Sequence, residues 1–167
     1  MSAAPVTTLE FRHACGYFAT GVTVITAERA PGQVHGMTAN SFTSVSLDPL
    51  LVLVCVAEVA QMRGIINQRR RFGVNLLKAG QQRISEFFAQ PEQPAEVERA
   101  LGVEFRWTPS GVPLLENVLV QMVANVVNTY VAGDHTIFLG EVATLEVFGG
   151  EPLLFVRGQY HDFVGAR

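Results

Sequence analysis

Residues 35–49 read HGMTANSFTSVSLDP. Thr38, Asn40, Ser41, Thr43, Ser44 and Ser46 bring many hydroxyl and amide donors together without adding net charge. Gly36 and Ala39 add little bulk, so the backbone can come close to something large. Backbone amides beside small hydroxyls suit a flat heterocycle with several acceptors, or a phosphate chain. On composition alone the same stretch is equally a hydroxyl-rich loop between two apolar strands.

His135 follows Gly133-Asp134 at the start of a β-rich run. By itself this is an ordinary turn, with Asp134 as the turn former and a locally bonded imidazole. His13, His35 and His161 show no ligand spacing with it, so no metal site is expected. Arg69-Arg70-Arg71 reads as a solvated turn, with attraction of an anionic cofactor or an acidic partner face as the rival reading. Arg83 is the better phosphate candidate, because a planar guanidinium matches phosphate oxygens. Cys15 and Cys55 form no Cys-x-x-Cys pair and read as small apolar residues. Phe11, Phe105 and Trp107 read as core or dimer contacts.

These groups need elements to hold them. Thr8 is placed as the cap of a first helix carrying Leu9, Phe11, Ala14, Cys15 and Phe18, ended by Gly21. Val22–Thr26 reads as a strand, Ala30-Pro31-Gly32 as a turn, and Val34 onward as a second strand. Leu50–Val56 is apolar at every position, which predicts a central strand covered on both faces. Phe72–Leu77 is a further strand, and Gln81–Ala89 has helical spacing with Ile84, Phe87 and Phe88 on one side. Gln90–Glu98 reads as a surface loop entering a short helix. Val118–Tyr130 and Thr136–Phe148 read as a hairpin about the Ala132-Gly133-Asp134 turn, and Leu153–Val156 as a strand after Gly149-Gly150. Strands dominate without a β-α-β repeat, so the expected class is mainly β: a twisted antiparallel barrel with peripheral helices.

The chain has 167 residues, enough for one domain spanning 1–167. Apolar residues make up 49% and charged residues 16%, against about 25% charged in typical domains. A homodimer that hides apolar surface is the simplest account. The net charge of −3 argues against nucleic acid as the main partner. The N-terminal MSAAPVTTLEFRH lacks a basic start followed by an apolar run, so no secretory signal is expected. The apolar runs are too short to span a membrane, and with the cysteine usage this points to the cytoplasm.

Phe18-Ala-Thr-Gly-Val-Thr-Val-Ile-Thr26, Gly36-Met-Thr-Ala-Asn-Ser-Phe-Thr-Ser-Val-Ser46, Leu51-Val-Leu-Val-Cys-Val56, Phe72-Gly-Val-Asn-Leu-Leu77 and Gly133-Asp-His135 before Ile137-Phe-Leu-Gly-Glu-Val142 occur in this order. Together they resemble the flavin reductase family with the FMN-binding split barrel, the reductase components of two-component flavin-dependent monooxygenases. The likeness runs over nearly the whole chain.

The resemblance implies an antiparallel split β-barrel (Greek key) with peripheral helices. It implies an NAD(P)H:flavin oxidoreductase that reduces FAD or FMN and supplies a partner monooxygenase. Thr38, Ala39, Asn40, Ser41, Ser44, Val45 and Ser46 would line the flavin. Cys55, Val56 and Ala57 would lie beside its ring, Phe72 close to it, and Gln61 and Arg83 near its phosphate. Gly133, Asp134, His135 and Tyr160 would form the nicotinamide side, with His135 the catalytic candidate. The chain departs from the family pattern at Ala60-Gln61-Met62, where Ser or Thr is usual, at Pro49-Leu50, and at Glu58 beside the expected phosphate. A non-catalytic flavin carrier on the same barrel is the alternative, and a structural subunit without cofactor is a third reading. FAD versus FMN, and NADH versus NADPH, stay open.

Overall fold

The computed structural model describes residues 4–163. Its elements are α1 (Thr8–Cys15), β1 (Thr20–Gly21), β2 (Thr23–Ala30), β3 (Gln33–Ala39), β4 (Phe42–Leu47), β5 (Leu50–Ala57), α2 (Gln61–Arg69), β6 (Arg71–Leu76), α3 (Gln82–Phe88), α4 (Ala95–Ala100), β7 (Phe105–Trp107), β8 (Pro113–Leu115), β9 (Val120–Ala132), β10 (His135–Val147), β11 (Leu153–Val156) and β12 (Gln159–Asp162). The fold is mainly β. One antiparallel sheet runs in the order β3-β2-β6-β9-β10-β5-β4, beside smaller β1-β11-β12 and β7-β8 sheets.

β3 and β4 lie at opposite edges of the seven-stranded sheet, yet only Asn40 and Ser41 separate them. Three Cα steps reach about 11 Å, whereas a flat sheet of this order would be about 29 Å across. The sheet must therefore roll until its edges nearly meet. Side chains anchor the connection on either side of this seam: Thr23 Oγ1 of β2 donates to the Ala39 carbonyl at the end of β3 (2.6 Å), and Ser41 Oγ donates to the Cys55 carbonyl of β5 (2.8 Å). No backbone ladder joins β3 to β4 among the described residues.

The inner face buries Ile25, Val52, Val54, Val56, Phe72, Val74 and Phe138, and α2 plugs it with Met62 and Ile66. Phe72 needs a glycine opposite: a Cβ on Gly140 would come 3.1 Å from its ring and 2.9 Å from the Ala124 methyl. A second cluster holds Val22, Val24, Leu77, Phe87, Phe88 and Leu153 against α3. Asn75 is buried where β7 and β8 cross the sheet. It donates to the Val24 carbonyl (2.8 Å) and accepts from the Leu115 amide (2.8 Å).

Most elements match the sequence reading, with three corrections. The first helix is capped by Thr7, which forms a reciprocal box with Glu10, rather than by Thr8. It ends at Cys15 and not at Gly21, so Phe18 lies beyond it, and Leu9 and Phe18 are both 78% exposed. Residues 42–47 form an edge strand inside what reads as a polar connection. β5 is second from the edge, not central, and only Val52, Val54 and Val56 are buried. On its other face Leu51, Leu53, Cys55 and Ala57 are partly open.

Candidate functional site

The β9–β10 hairpin turns on two residues, with Gly133 at φ +65° supplying the positive φ that a two-residue turn needs. The register of β10 against β5 then sets the site. His135 faces Ala57, Ile137 faces Cys55 and Leu139 faces Leu53. Directly opposed residues share a face, so Ala57 and Cys55 lie on the outer surface with His135 and Ile137. β4 adds Thr43 beside Leu53.

His135 is partly open, its side chain 44% exposed, and its Nδ1 lies 2.8 Å from Asp134 Oδ1. An ionised carboxylate only accepts, so Nδ1 carries the proton and Nε2 is turned to other partners. The hydrogen bond from His135, and then its charge, hold the Asp134 carboxyl below its ordinary value. Burial pushes the Cys55 thiol up, which keeps it protonated. On the opposite face His35 is lowered by burial and by the nearby Arg29 charge.

The polar stretch divides its donors. Thr38 Oγ1 donates to the Ser85 carbonyl (2.6 Å), Ser41 to the Cys55 carbonyl, and Ser46 Oγ accepts from the Asp48 amide (3.2 Å). These three hydroxyls hold backbone. The exposed side chains of Asn40 and Ser44 have no hydrogen-bond partner among the described residues. Asn40 borders a cavity of about 190 Å³ with Thr20, Gly21, Phe42 and Leu153. Thr20 Oγ1 is buried there without a partner among the described residues. Thr20 belongs to the quoted strand motif, but nothing in the sequence says that its hydroxyl is left unpaired.

α2 starts at Gln61 without a side-chain cap, because Ala60 has no acceptor to offer. Gln61 and Met62 of its first turn border a cavity of about 280 Å³ with His35, Gly36, Phe88 and Gln93. An uncapped helix start favours an anion. Arg83 is exposed on α3 and has no ion-pair partner among the described residues. Glu58 sits at the end of β5, with its carboxylate 3.5 Å from Arg63 Nε and accepting from Thr136 Oγ1.

Several expected contacts change. Phe72 is fully buried beneath Gly140 and Ala124, so its ring reaches no ligand. The Val56 side chain points into the core at 0% exposure and its backbone lies in the sheet, leaving Cys55 and Ala57 as the open residues of β5. Ala39 is buried at the seam, and Val45 is half-exposed at a register shift in β4. Tyr160 Oη lies 2.9 Å from Ser85 Oγ, and its ring packs edge-on against Phe155. It is tied to α3 and Thr38, not to the Gly133–His135 turn, because β12 pairs with β11 away from the large sheet.

Residues 15–163 match the flavin reductase like domain. This chain belongs to the flavin reductase family. An NADH-dependent flavin reductase of a Rhodococcus species is 43% identical over 159 residues, covering 94% of this chain and 87% of that one. The Streptomyces globisporus C-1027 NADH:FAD oxidoreductase SgcE6, solved in complex with NAD and FAD fragments, superposes with a TM-score of 0.86 at 37% identity, covering 97% of this chain and 98% of that one. The styrene monooxygenase flavin reductase of Pseudomonas putida S12 superposes with a TM-score of 0.82 at 36% identity, covering 94% and 99%. Within this flavin reductase, His135 on the outer face of β5 and β10, Asn40 at the seam and the uncapped start of α2 offer open polar groups.

Proposed function

We propose that this protein is an NAD(P)H:flavin oxidoreductase that reduces FAD or FMN and releases it to a separate monooxygenase. The observation that carries the reading is the β5–β10 register, which sets His135 beside Ala57 and Cys55 on one open face. The named activities of the relatives support it, and the monooxygenase partner rests on the styrene enzyme's reductase.

Flavin fits what the chain leaves open. Asn40, Ser44 and the orphaned Thr20 hydroxyl offer neutral hydrogen bonds to a polar heterocycle. In this reading the uncapped start of α2, with Gln61 as its first residue, serves as the phosphate site in place of the missing Ser or Thr hydroxyls at 60–62, and Arg83 on α3 is the further phosphate candidate. A bound flavin supplies the hydride acceptor, so the protein needs only to align two rings. His135, with Nδ1 held by Asp134, presents Nε2 on the nicotinamide side as a packing and hydrogen-bonding group.

We read the chain as one domain and the rolled, unclosed sheet as a split barrel of Greek-key type. We also read it as a homodimer. Leu47 (87% exposed), Leu50, Leu145 and Phe148 at the strand ends, with Leu9 and Phe18 on and after α1, expose apolar side chains that a second copy would cover. Among the described residues no helix is long and apolar enough to cross a membrane. The two free cysteines fit a cytoplasmic setting.

The test is nicotinamide oxidation by the purified protein with FAD, FMN and riboflavin side by side, using NADH and NADPH. Flavin-dependent turnover is expected. No turnover with either nucleotide overturns the reading, and tight flavin binding without nicotinamide oxidation would make the protein a carrier.

A further inference from the structure

Glu58 is an acid placed where a flavin phosphate would be approached, and like charges repel. Its surroundings give it another task. Its amide donates to the Asp134 carbonyl (2.9 Å), adding one contact beyond the Ala57–His135 pair that ends the β5–β10 ladder. One carboxylate oxygen accepts from the hydroxyl of Thr136, a residue only 4% exposed. The other lies 3.5 Å from Arg63 Nε, which also donates to the Glu58 carbonyl (3.0 Å). One side chain thus ties the end of β5, the first turn of α2 and the hairpin that carries His135.

We infer that Glu58 is a positioning residue that latches the His135 turn to the start of α2. This rests on the proposed reductase reading, in which those two places serve the nicotinamide and the flavin phosphate. Neither carboxylate oxygen is free for proton transfer: one is held by Thr136 and the other by Arg63. Arg63 also offsets the Glu58 charge, so the acid can sit at the phosphate side of the site. Thr136 points inward while its neighbour His135 points outward, as alternate strand residues must. Holding Thr136 from within therefore fixes the orientation of His135 without touching it. The exposed Arg63 pair contributes little by itself. The hydroxyl–carboxylate bond is the charge-assisted contact, and it is the one that reaches the hairpin.

The experiment compares Glu58→Ala, Glu58→Gln and Thr136→Val with the wild type. Glu58→Gln keeps an oxygen for Thr136 and gives up the charge and the acceptor that faces Arg63. In flavin-free protein, amide hydrogen exchange over residues 133–137 is expected to quicken about fivefold or more in Glu58→Ala, and to stay near wild type in Glu58→Gln. In the assay, Glu58→Ala is expected to raise KM for NADH about tenfold, with kcat and flavin Kd within about twofold. Glu58→Gln should restore KM. Thr136→Val, which is isosteric, should repeat the Glu58→Ala pattern and serves if that variant does not fold. Unchanged exchange and KM in folded Glu58→Ala would overturn the latch, as would Glu58→Gln behaving like Glu58→Ala. A wild type that oxidises no NADH with flavin would overturn the reductase reading instead. The exchange measurement needs no flavin and decides the latch in that case too.

Discussion

The two faces of β5 and β10 are built from similar residues and end in opposite situations. On the inner face Val52, Val54, Val56 and Phe138 are at most 4% exposed, closed over by Phe72 and by Met62 and Ile66 of α2. On the outer face Leu51, Leu53, Cys55, Ala57, Ile137 and Leu139 are only partly covered, and His135 stands among them. Apolar character alone does not separate them. What separates them is whether the chain supplies its own cover. The inner face is completed by this chain and fixes the fold. In the proposed reading the outer face is left to the flavin and nicotinamide and, in the proposed dimer, to a second copy.

The sharpest break in that contrast comes from the inner side. Phe72→Ala should cost about 3–5 kcal/mol through the cavity it leaves, a large part of the about 5–15 kcal/mol that holds a domain together. Urea denaturation measures it. Because the ring touches no outer-face group, the milder Phe72→Leu should keep wild-type flavin affinity while lowering the urea midpoint. A large loss of flavin affinity with an unchanged midpoint would return Phe72 to the site.

The matching change on the outer side is Leu53→Glu. A carboxylate there costs the monomer little, since the position is partly open, but it must be desolvated when two copies meet. At about 2 kcal/mol or more, self-association should weaken about thirtyfold. Sedimentation velocity over a concentration series reads this, and an unchanged urea midpoint at low concentration confirms that the protomer is intact. Equal association of variant and wild type would remove this face from the interface.

The sequence makes plain what depends on local chemistry. The Gly133-Asp134 turn and its two flanking strands are readable, because a two-residue loop between β-rich runs has few other solutions. Ile84, Phe87 and Phe88 mark the helix that packs on the second cluster. The side of β5 that faces the core is hidden, because Leu51, Leu53 and Cys55 are as apolar as the valines between them. β4 is hidden as well. Its threonine and serines look like ligand donors, yet Ser46 accepts from the nearby Asp48 amide, and Ser41 just before the strand bonds across the β4–β5 pairing to the Cys55 carbonyl. Phe72 shares a motif with site residues while packing inward. The Glu58–Thr136 contact joins residues 78 apart. It depends on the β5–β10 register, which no spacing in the sequence encodes.

A smaller loss than these, and one confined to the outer face, is expected of His135→Ala. Removing a hydrogen-bonding group worth about 0.5–1.5 kcal/mol should lower kcat/KM for NADH about two- to tenfold. Flavin affinity, read by fluorescence quenching, should hold, because the flavin-side groups lie on β4, β5 and α2. Asp134→Asn should lose less, since its amide oxygen still accepts from Nδ1. Equal losses in NADH turnover and flavin affinity would mean that His135 serves both sides.

The smallest effect sets one histidine against the other. His35 is buried on the inner side of β3, and burial, helped by the Arg29 charge, lowers it from the ordinary value of 6.5. Above that value the ring is neutral in both the folded and the unfolded chain, and it contributes no pH dependence. As the pH falls below it, the unfolded chain takes up a proton that the folded ring resists, so protonation favours unfolding. The stability tied to the neutral ring is therefore present above 6.5 and is lost as the pH drops through the lower folded value. Between pH 7.5 and 5, the wild-type Tm should fall more steeply than that of His35→Gln, whose side chain does not titrate there. Other groups acidify equally in both proteins, so the difference in slope isolates His35. Parallel slopes would show that the His35 ring takes its proton without opposing the fold.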